Sequence, residues 1–315
     1  MKKVVVIGGG TGSFTVLSGL KDLYDLSAIV TMADDGGSTG VLREEFGILP
    51  PGDVRRALVA LSASDNKMLS ELFNFRFEEK SSLKGHSLGN LLLTALARIT
   101  GDWREALREA VTILNVKGEV IPVTLDKTKL HAELEDGTII DGETNIDIPK
   151  HDPKLKIKRV FLSPEARANS DAVRVILEAD YVIIGPGDLF TSLVPNLVVD
   201  GIVDALKKTK AKVIYITNIM TKYGETNNFS ASDFVKVMES YLGEKVIDFV
   251  VVNVEKMAGR TLERYKKENV DYVEFDEEKF SPNFKTITGK FLRKGQFLRH
   301  DQEKLAKVLA GIIGK

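Results

Sequence analysis

Val4-Val5-Val6-Ile7-Gly8-Gly9-Gly10-Thr11-Gly12-Ser13 decides the fold. Four β-branched residues in a row read as a strand buried on both faces. The glycines behind them let backbone approach a ligand, and the helix that follows offers free N–H groups and a partial positive charge. Strand, glycine loop and helix N-terminus in that order resemble the phosphate turn of a Rossmann fold. Ser13 stands where the strict dinucleotide fingerprint has its third glycine, and no Walker A lysine follows. The stretch reads as phosphate or nucleotide contact by Gly9, Gly10, Thr11 and Gly12, against the alternative of a plain tight turn.

Similar runs recur at Ala28–Thr31, Tyr181–Ile184, Lys212–Thr217 and Phe249–Asn253. Helical patterns lie between them. Asp53, Ser87 and Asp102 are placed to cap helices over Val54–Leu61, Leu88–Ile99 and Trp103–Leu114. Further helices are expected at Asp171–Glu178, Leu197–Lys207, Ser232–Leu242 and Gln302–Ile313. This alternation predicts an α/β fold, a doubly wound Rossmann-like parallel sheet forming one nucleotide-binding domain over residues 1–315. Residues 118–162 break the rhythm with short strands and the turn pairs Asp136-Gly137 and Asp141-Gly142, which predicts a small antiparallel insertion. The charged stretch Asp271–His300 has no clear pattern.

Composition narrows the function. With 44 basic and 45 acidic side chains the net charge is −1, so no basic footprint for nucleic acid is present. The absence of cysteine removes thiolate chemistry and disulfides. No stretch reads as a signal peptide or approaches the ~20 apolar residues of a membrane span. A soluble cytoplasmic protein is expected, with self-association into a homo-oligomer left open.

Polar loops collect where the strands end. Asp34-Asp35-Gly36-Gly37-Ser38 follows the second strand, where a Rossmann fold places its ribose contact. Asp34 and Asp35 cannot both point at one ribose, so one of them could hold a divalent cation through oxygen. Pro50-Pro51-Gly52-Asp53-Val54-Arg55-Arg56 opens a helix with arginines in its first turn, which a nearby anion would favour. Gly85-His86-Ser87-Leu88-Gly89-Asn90 is a second polar loop before a helix, and His86 is assigned a binding role. Gly185-Pro186-Gly187-Asp188, Thr191-Ser192 and Asn196 follow the strand at 181–184, and Asn218 to Thr221 follow the strand at 212–217. In an open α/β sheet these carboxyl ends face one crevice, where the strand order reverses.

Together these ordered motifs, from Gly8–Gly12 to Gly224-Glu225-Thr226, resemble the YvcK-type gluconeogenesis factors of bacteria, within the wider CofD/YvcK family. The resemblance runs from Val4 to about Asn253. It implies a cytosolic protein that binds UDP-sugars and supports cell-wall synthesis and cell shape on gluconeogenic carbon. Its other branch implies a Mg2+-dependent 2-phospho-L-lactate transferase acting on a guanosine diphosphate conjugate. By motif, Gly10, Thr11 and Gly12 would contact phosphate, Asp35 or Asp53 would help hold a metal, and Asn90, Asn218 and Gly185–Gly187 would line the nucleotide crevice. Two departures bear on the ligand. The transferase branch has Pro-Asp-Leu-Asp where this chain reads Pro51-Gly52-Asp53-Val54. The YvcK branch has Ser-Leu-Tyr where it reads Asp188-Leu189-Phe190, and Gln at Lys222. A carboxylate at Asp188 would repel a diphosphate unless a cation or Lys222 neutralises it.

Overall fold

The computed structural model describes residues 1–63, 67–78, 80–256, 260–293, 295 and 297–314. Its strands are β1 (Lys3–Gly8), β2 (Asp25–Val30), β3 (Glu119–Pro122), β4 (Lys129–Leu134), β5 (Ile139–Asp141), β6 (Ile157–Ser163), β7 (Tyr181–Ile184), β8 (Lys212–Ile216), β9 (Phe249–Asn253) and β10 (Lys285–Gly289). The helices that matter first are α1 (Gly10–Leu20), α2 (Gly37–Phe46), α3 (Pro51–Leu61), α4 (Lys67–Asn74), α5 (Leu88–Thr100), α6 (Trp103–Leu114) and α7 (Glu143–Asp147). They are followed by α8 (Ser170–Glu178), α9 (Val194–Leu197), α10 (Ile202–Lys208), α11 (Ala231–Leu242), α12 (Arg260–Lys267) and α13 (Gln302–Ile313).

Among the described residues seven strands form one sheet in the order β10-β9-β8-β7-β1-β2-β3, and every neighbouring pair is parallel. The order reverses at β1, whose two neighbours are β2 and β7. This is the doubly wound arrangement expected, with a switch point between β1 and β7. Val4, Ile7, Ile29, Ile183 and Ile214 are buried in the sheet interior. Their branched side chains suit a sheet covered on both faces.

The antiparallel part is smaller than 118–162. β3 pairs in parallel with β2, from Ser27 opposite Glu119 to Val30 opposite Pro122, and closes the large sheet as its edge. The short run Val120–Pro122 is buried throughout, which marks it as main-sheet rather than half-exposed. The separate sheet is β5-β4-β6, antiparallel, with α7 on its loop. Its Leu130, Ala132, Ile146 and Val160 share one hydrophobic cluster with the large sheet. Tyr241 Oη on α11 also accepts from Val160 N at 2.9 Å.

Two other boundaries differ from expectation. The helix expected at Leu197–Lys207 is two helices, α9 and α10, separated by Gly201 at φ +96°. The unpatterned stretch from Asp271 supplies β10 as an outer strand on β9. Its weak pattern follows from position, since Lys285–Gly289 is only partly buried at the sheet edge.

Candidate functional site

β1 delivers the glycine loop to the carboxyl edge of the sheet. α1 begins at Gly10, φ +67°, with no side-chain cap and no acid in its first turn. The first-turn N–H groups of such a helix are left for an outside acceptor. One is taken: Gly10 N donates to Asp53 Oδ1 at 3.0 Å. Gly12 lies against the β7 loop so closely that a Cβ would come 2.0 Å from the Pro186 carbonyl oxygen. The loops after β1 and β7 therefore touch at the switch point.

A cavity of about 350 Å³ opens there, within the size of small-molecule sites. Gly9, Gly10, Thr11 and Gly12 form one wall, Gly187, Asp188 and Ser192 the second, and Asn218 to Lys222 the third. Asn218 Oδ1 is buried without a partner among the described residues. The fourth wall is Tyr265, Val270, Leu298, Arg299 and His300. Leu298, Arg299 and His300 come from the unpatterned stretch Asp271–His300, and Tyr265 and Val270 from just before it. Leu298 packs with Ile219, Tyr272 and Leu292 in a hydrophobic cluster separate from the main core, which holds the tail against the β8 loop. Burial holds the His300 imidazole down at about 4, so it is neutral at pH 7, and its Nε2 is buried without a partner among the described residues. Thr11, Thr15, Arg299 and His300 also line an adjoining cavity of about 580 Å³.

Asp188 meets Lys222 in this crevice. Lys222 Nζ lies 2.9 Å from Asp188 Oδ2, 3.4 Å from Glu225 Oε1, and donates to Asp147 of α7. Burial alone would lower the Lys222 ammonium, but Glu225, Asp188 and Asp147 outweigh it and hold it above its ordinary value. Glu225 is pushed up to about 8, first by burial and then by the two aspartates, against the pull of Lys222. The three carboxylates cluster tightly enough to hold a metal ion. Lys222 already supplies the positive charge between them.

A second polar group lies on the β2 side. Asp34 is raised to about 6, first by desolvation and then by the charge of Asp53, although Gly36 N donates to it at 3.0 Å. Glu143 of α7 is pushed up to about 9 by burial and by Asp34, Asp147 and Asp35. Ser38 Oγ is 3.0 Å from His86 Nδ1 and accepts from Asn90 Nδ2 at 3.3 Å, so those three expected residues form one chain. By the chemistry of their oxygen donors, Asp34 and Asp53 are the residues that would hold a hard divalent cation beside the glycine loop.

Several expected roles are corrected. Asp35, named as a metal ligand, is engaged by the start of α7. Its carboxylate accepts from Glu143 N at 3.2 Å, Thr144 N at 2.8 Å and Thr144 Oγ1 at 2.7 Å, which ties the insertion to the β2 loop. Asp53 is not the cap of a helix from Val54. α3 starts with Pro51 in its first turn, and Asp53 sits in that turn reaching back to Gly10. Arg55 is buried, donating to Asn74 Oδ1 at 2.7 Å and to the Phe73 carbonyl at 3.3 Å. Arg56 is the arginine beside the glycine loop: its Nη1 pairs with Asp53 Oδ1 at 2.9 Å and lies 4.0 Å from the Cβ position of Gly10. The spacing 53 to 56 could have shown this, because residues three apart share a helix face.

Three more residues brace the walls. Asn196 donates to the Ser192 carbonyl at 2.8 Å and steadies the wide π-helical turn Leu189–Leu193. Thr191 is buried, with its hydroxyl 3.5 Å from Glu225 Oε1. Thr221 Oγ1 accepts from Asp271 N at 3.0 Å, pinning the β8 loop to the tail. Gly185, φ +85°, starts the β7 loop.

Comparison with known proteins agrees with this architecture. The family model described as "2-phospho-L-lactate transferase CofD" matches residues 4–292. The gluconeogenesis factor of Halalkalibacterium halodurans is 44% identical over 98% of this chain and 95% of that protein. That of Bacillus subtilis is 42% identical over 99% of this chain and 98% of its own length. A crystal structure of a UPF0052 family member from Bacillus halodurans superposes with a TM-score of 0.92 at 42% identity, covering 98% of this chain and 99% of the other. The chain belongs to the CofD family, among relatives named gluconeogenesis factors.

Proposed function

We propose that the crevice binds a UDP-sugar, or a related nucleoside diphosphate ligand, and that the chain acts as a cytoplasmic regulatory gluconeogenesis factor supporting cell-wall synthesis and cell shape on gluconeogenic carbon. One observation carries the reading: an uncapped helix N-terminus, α1, opens through Gly10–Gly12 onto a cavity of about 350 Å³ that adjoins a second of about 580 Å³. A diphosphate would lie on the α1 N–H groups, with Arg56 and Arg299 as flanking cations. The sugar and base would extend along Asn218 and His300. The names of the relatives support the general role. Titration calorimetry against UDP-N-acetylglucosamine, UDP-glucose, GDP and NAD tests it. Micromolar binding of a UDP-sugar is expected, and a response to GDP alone would displace the reading.

The second reading is a Mg2+-dependent transferase of the 2-phospho-L-lactate type. The specific observation behind it is the closeness of Asp34, Asp53 and Glu143. A cation held by the aspartates would offset charge on the bridging phosphate oxygens, while Glu143, protonated at neutral pH, would serve as a proton donor. Mass spectrometry of a guanosine diphosphate conjugate incubated with the protein, Mg2+ and a deazaflavin acceptor for the phospholactyl group separates the two. Release of GMP favours transfer, and an intact conjugate favours binding without turnover.

A further inference from the structure

Away from the crevice, a cavity of about 400 Å³ lies between the loop after α2 and the α5–α6 junction. Arg98, Arg104 and Lys127 line it, and Phe46 and Trp103 give it aromatic surface. The carboxylate of Asp102, which also lines it, is spent on capping α6, accepting from Arg104 N at 2.8 Å and Glu105 N at 3.0 Å. Its charge is thus set against the helix N-terminus rather than the arginines. Trp103 Nε1 is buried with no acceptor among the described residues. A buried donor without a partner is costly, on the order of 1–3 kcal/mol, so it marks a place for an acceptor. A cleft of about 90 Å³ shares the wall Gly47–Leu49 and Lys127, and there Arg43 Nη1 is likewise buried without an acceptor. Phe46 is 43% exposed, a large apolar group left at the rim.

We propose that this cavity is a second ligand site, taking a phosphorylated compound with a flat ring, of mononucleotide size. Three cations and the unmet Trp103 donor call for an anion with several acceptor oxygens. The aromatic surface calls for a ring that can pack on Phe46 and Trp103. The volume admits one ring and one phosphate group together. The site is separate from the nucleotide-sugar crevice, with which it shares no lining residue.

Trp103 is the single tryptophan of the chain, so its emission reports this cavity and not the crevice. The full chain is titrated with adenosine monophosphate, uridine monophosphate and, separately, orthophosphate, exciting at the red edge of tryptophan absorption. A saturable change with a mononucleotide is expected, with at least tenfold weaker apparent affinity in Arg98→Glu/Lys127→Glu. Phe46→Ser tests the ring contact and should weaken binding several-fold, and unchanged melting temperatures show that both variants fold. Excess UDP-N-acetylglucosamine should leave the amplitude in place. The proposal is overturned by an absence of emission change at millimolar mononucleotide, or by a response surviving the double charge reversal. It is equally overturned by orthophosphate matching the mononucleotides at equal concentration, or by displacement with the UDP-sugar.

Discussion

Lys222 Nζ stands 2.9 Å from Asp188 Oδ2 on the wall of the nucleotide crevice. The pair answers the electrostatic difficulty that Asp188 raises, since a bare carboxylate beside a diphosphate repels it by about 1 kcal/mol in water and about 4 kcal/mol at an effective dielectric near 20, for ~4 Å separation. Lys222 serves Asp147 and Glu225 as well, so it stays in place when Asp188 is removed. Asp188→Ser should then raise diphosphate affinity several-fold in EDTA. Lys222→Gln leaves carboxylates facing one another and should cost about 2 kcal/mol or more of stability, because stripping one partner from a partly buried pair exposes the other's desolvation. Calorimetry and denaturant melts of the two singles and the double measure the coupling. If Asp188→Ser changes neither affinity nor the cost of Lys222→Gln, the pair plays no part at the site.

The two arginines of α3 should separate cleanly. Arg55→Ala removes a buried guanidinium that bonds Asn74 and the Phe73 carbonyl, leaving that carbonyl short of a partner. A loss of roughly 2–3 kcal/mol is expected. Arg56→Ala should hardly move the melting temperature, since its side chain is 40% exposed, but it should weaken nucleotide binding about tenfold, as a charge-assisted contact is worth ~1.5–3 kcal/mol. The opposite pattern would return Arg55 to the crevice.

That pair shows what sequence reading reaches. The strand runs are written as nearly continuous apolar stretches rich in β-branched residues, so β1, β7, β8 and β9 are legible, and with them the switch point that gathers the polar loops. Within a loop, direction is not legible. Asp34 and Asp35 are neighbours of one chemistry, and only the tertiary position of α7 decides that Asp35 receives Glu143 and Thr144 while Asp34 faces Asp53. The tail fails for another reason. Leu298, Arg299 and His300 reach the crevice through irregular backbone and a small separate hydrophobic cluster, and neither leaves a periodicity to read.

Two titrations oppose each other in acid. Asp34 rises from its ordinary 3.8 to about 6, so its contribution to stability is present below 3.8 and lost as pH climbs to about 6. His300 falls from 6.5 to about 4, so its contribution is present above 6.5 and lost as pH falls to about 4. Asp34→Asn should therefore stabilise the protein at pH 7, by at most roughly 3 kcal/mol at ~1.36 kcal/mol per unit. In that variant stability should fall more steeply between pH 6 and pH 4, as the His300 loss is no longer offset. Melts across that range decide it, and an Asp34→Asn curve parallel to the parent would remove Asp34 from the argument. Mg2+ should raise the parent's melting temperature at pH 7 and leave Asp34→Asn unmoved.

Asp35 should behave as a clasp. Asp35→Ala takes three hydrogen bonds from the start of α7, comparable to losing a helix cap at about 1–2 kcal/mol. Hydrogen exchange at residues 143–147 should accelerate at least several-fold while amides of β1 and β7 stay protected. Unchanged exchange, together with a tenfold loss of nucleotide affinity, would restore Asp35 as a ligand contact.

The glycine loop allows a comparison of three alanines. At Gly12 a Cβ would meet the Pro186 carbonyl oxygen at 2.0 Å and the Gly187 nitrogen at 3.2 Å, both backbone atoms that no rotamer change can move. α1 cannot retreat, because α13 packs behind it, with the Cβ position of Gly19 only 2.9 Å from Ala306 Cβ. Gly12→Ala must therefore part the loops after β1 and β7, at a cost of about 3 kcal/mol or more, and ligand binding should disappear with it. At Gly10 the nearest atom is 3.8 Å away and only φ +67° resists, so Gly10→Ala should cost roughly 1–2 kcal/mol. Gly311 lies within α13 with nothing within 4 Å, and Gly311→Ala should stabilise by about 0.4–1 kcal/mol. Thermal melts of the three variants should rank Gly311→Ala above the parent, then Gly10→Ala, then Gly12→Ala. If Gly12→Ala melts with the parent and still binds nucleotide, the two loops do not meet at the switch point and the crevice is built otherwise.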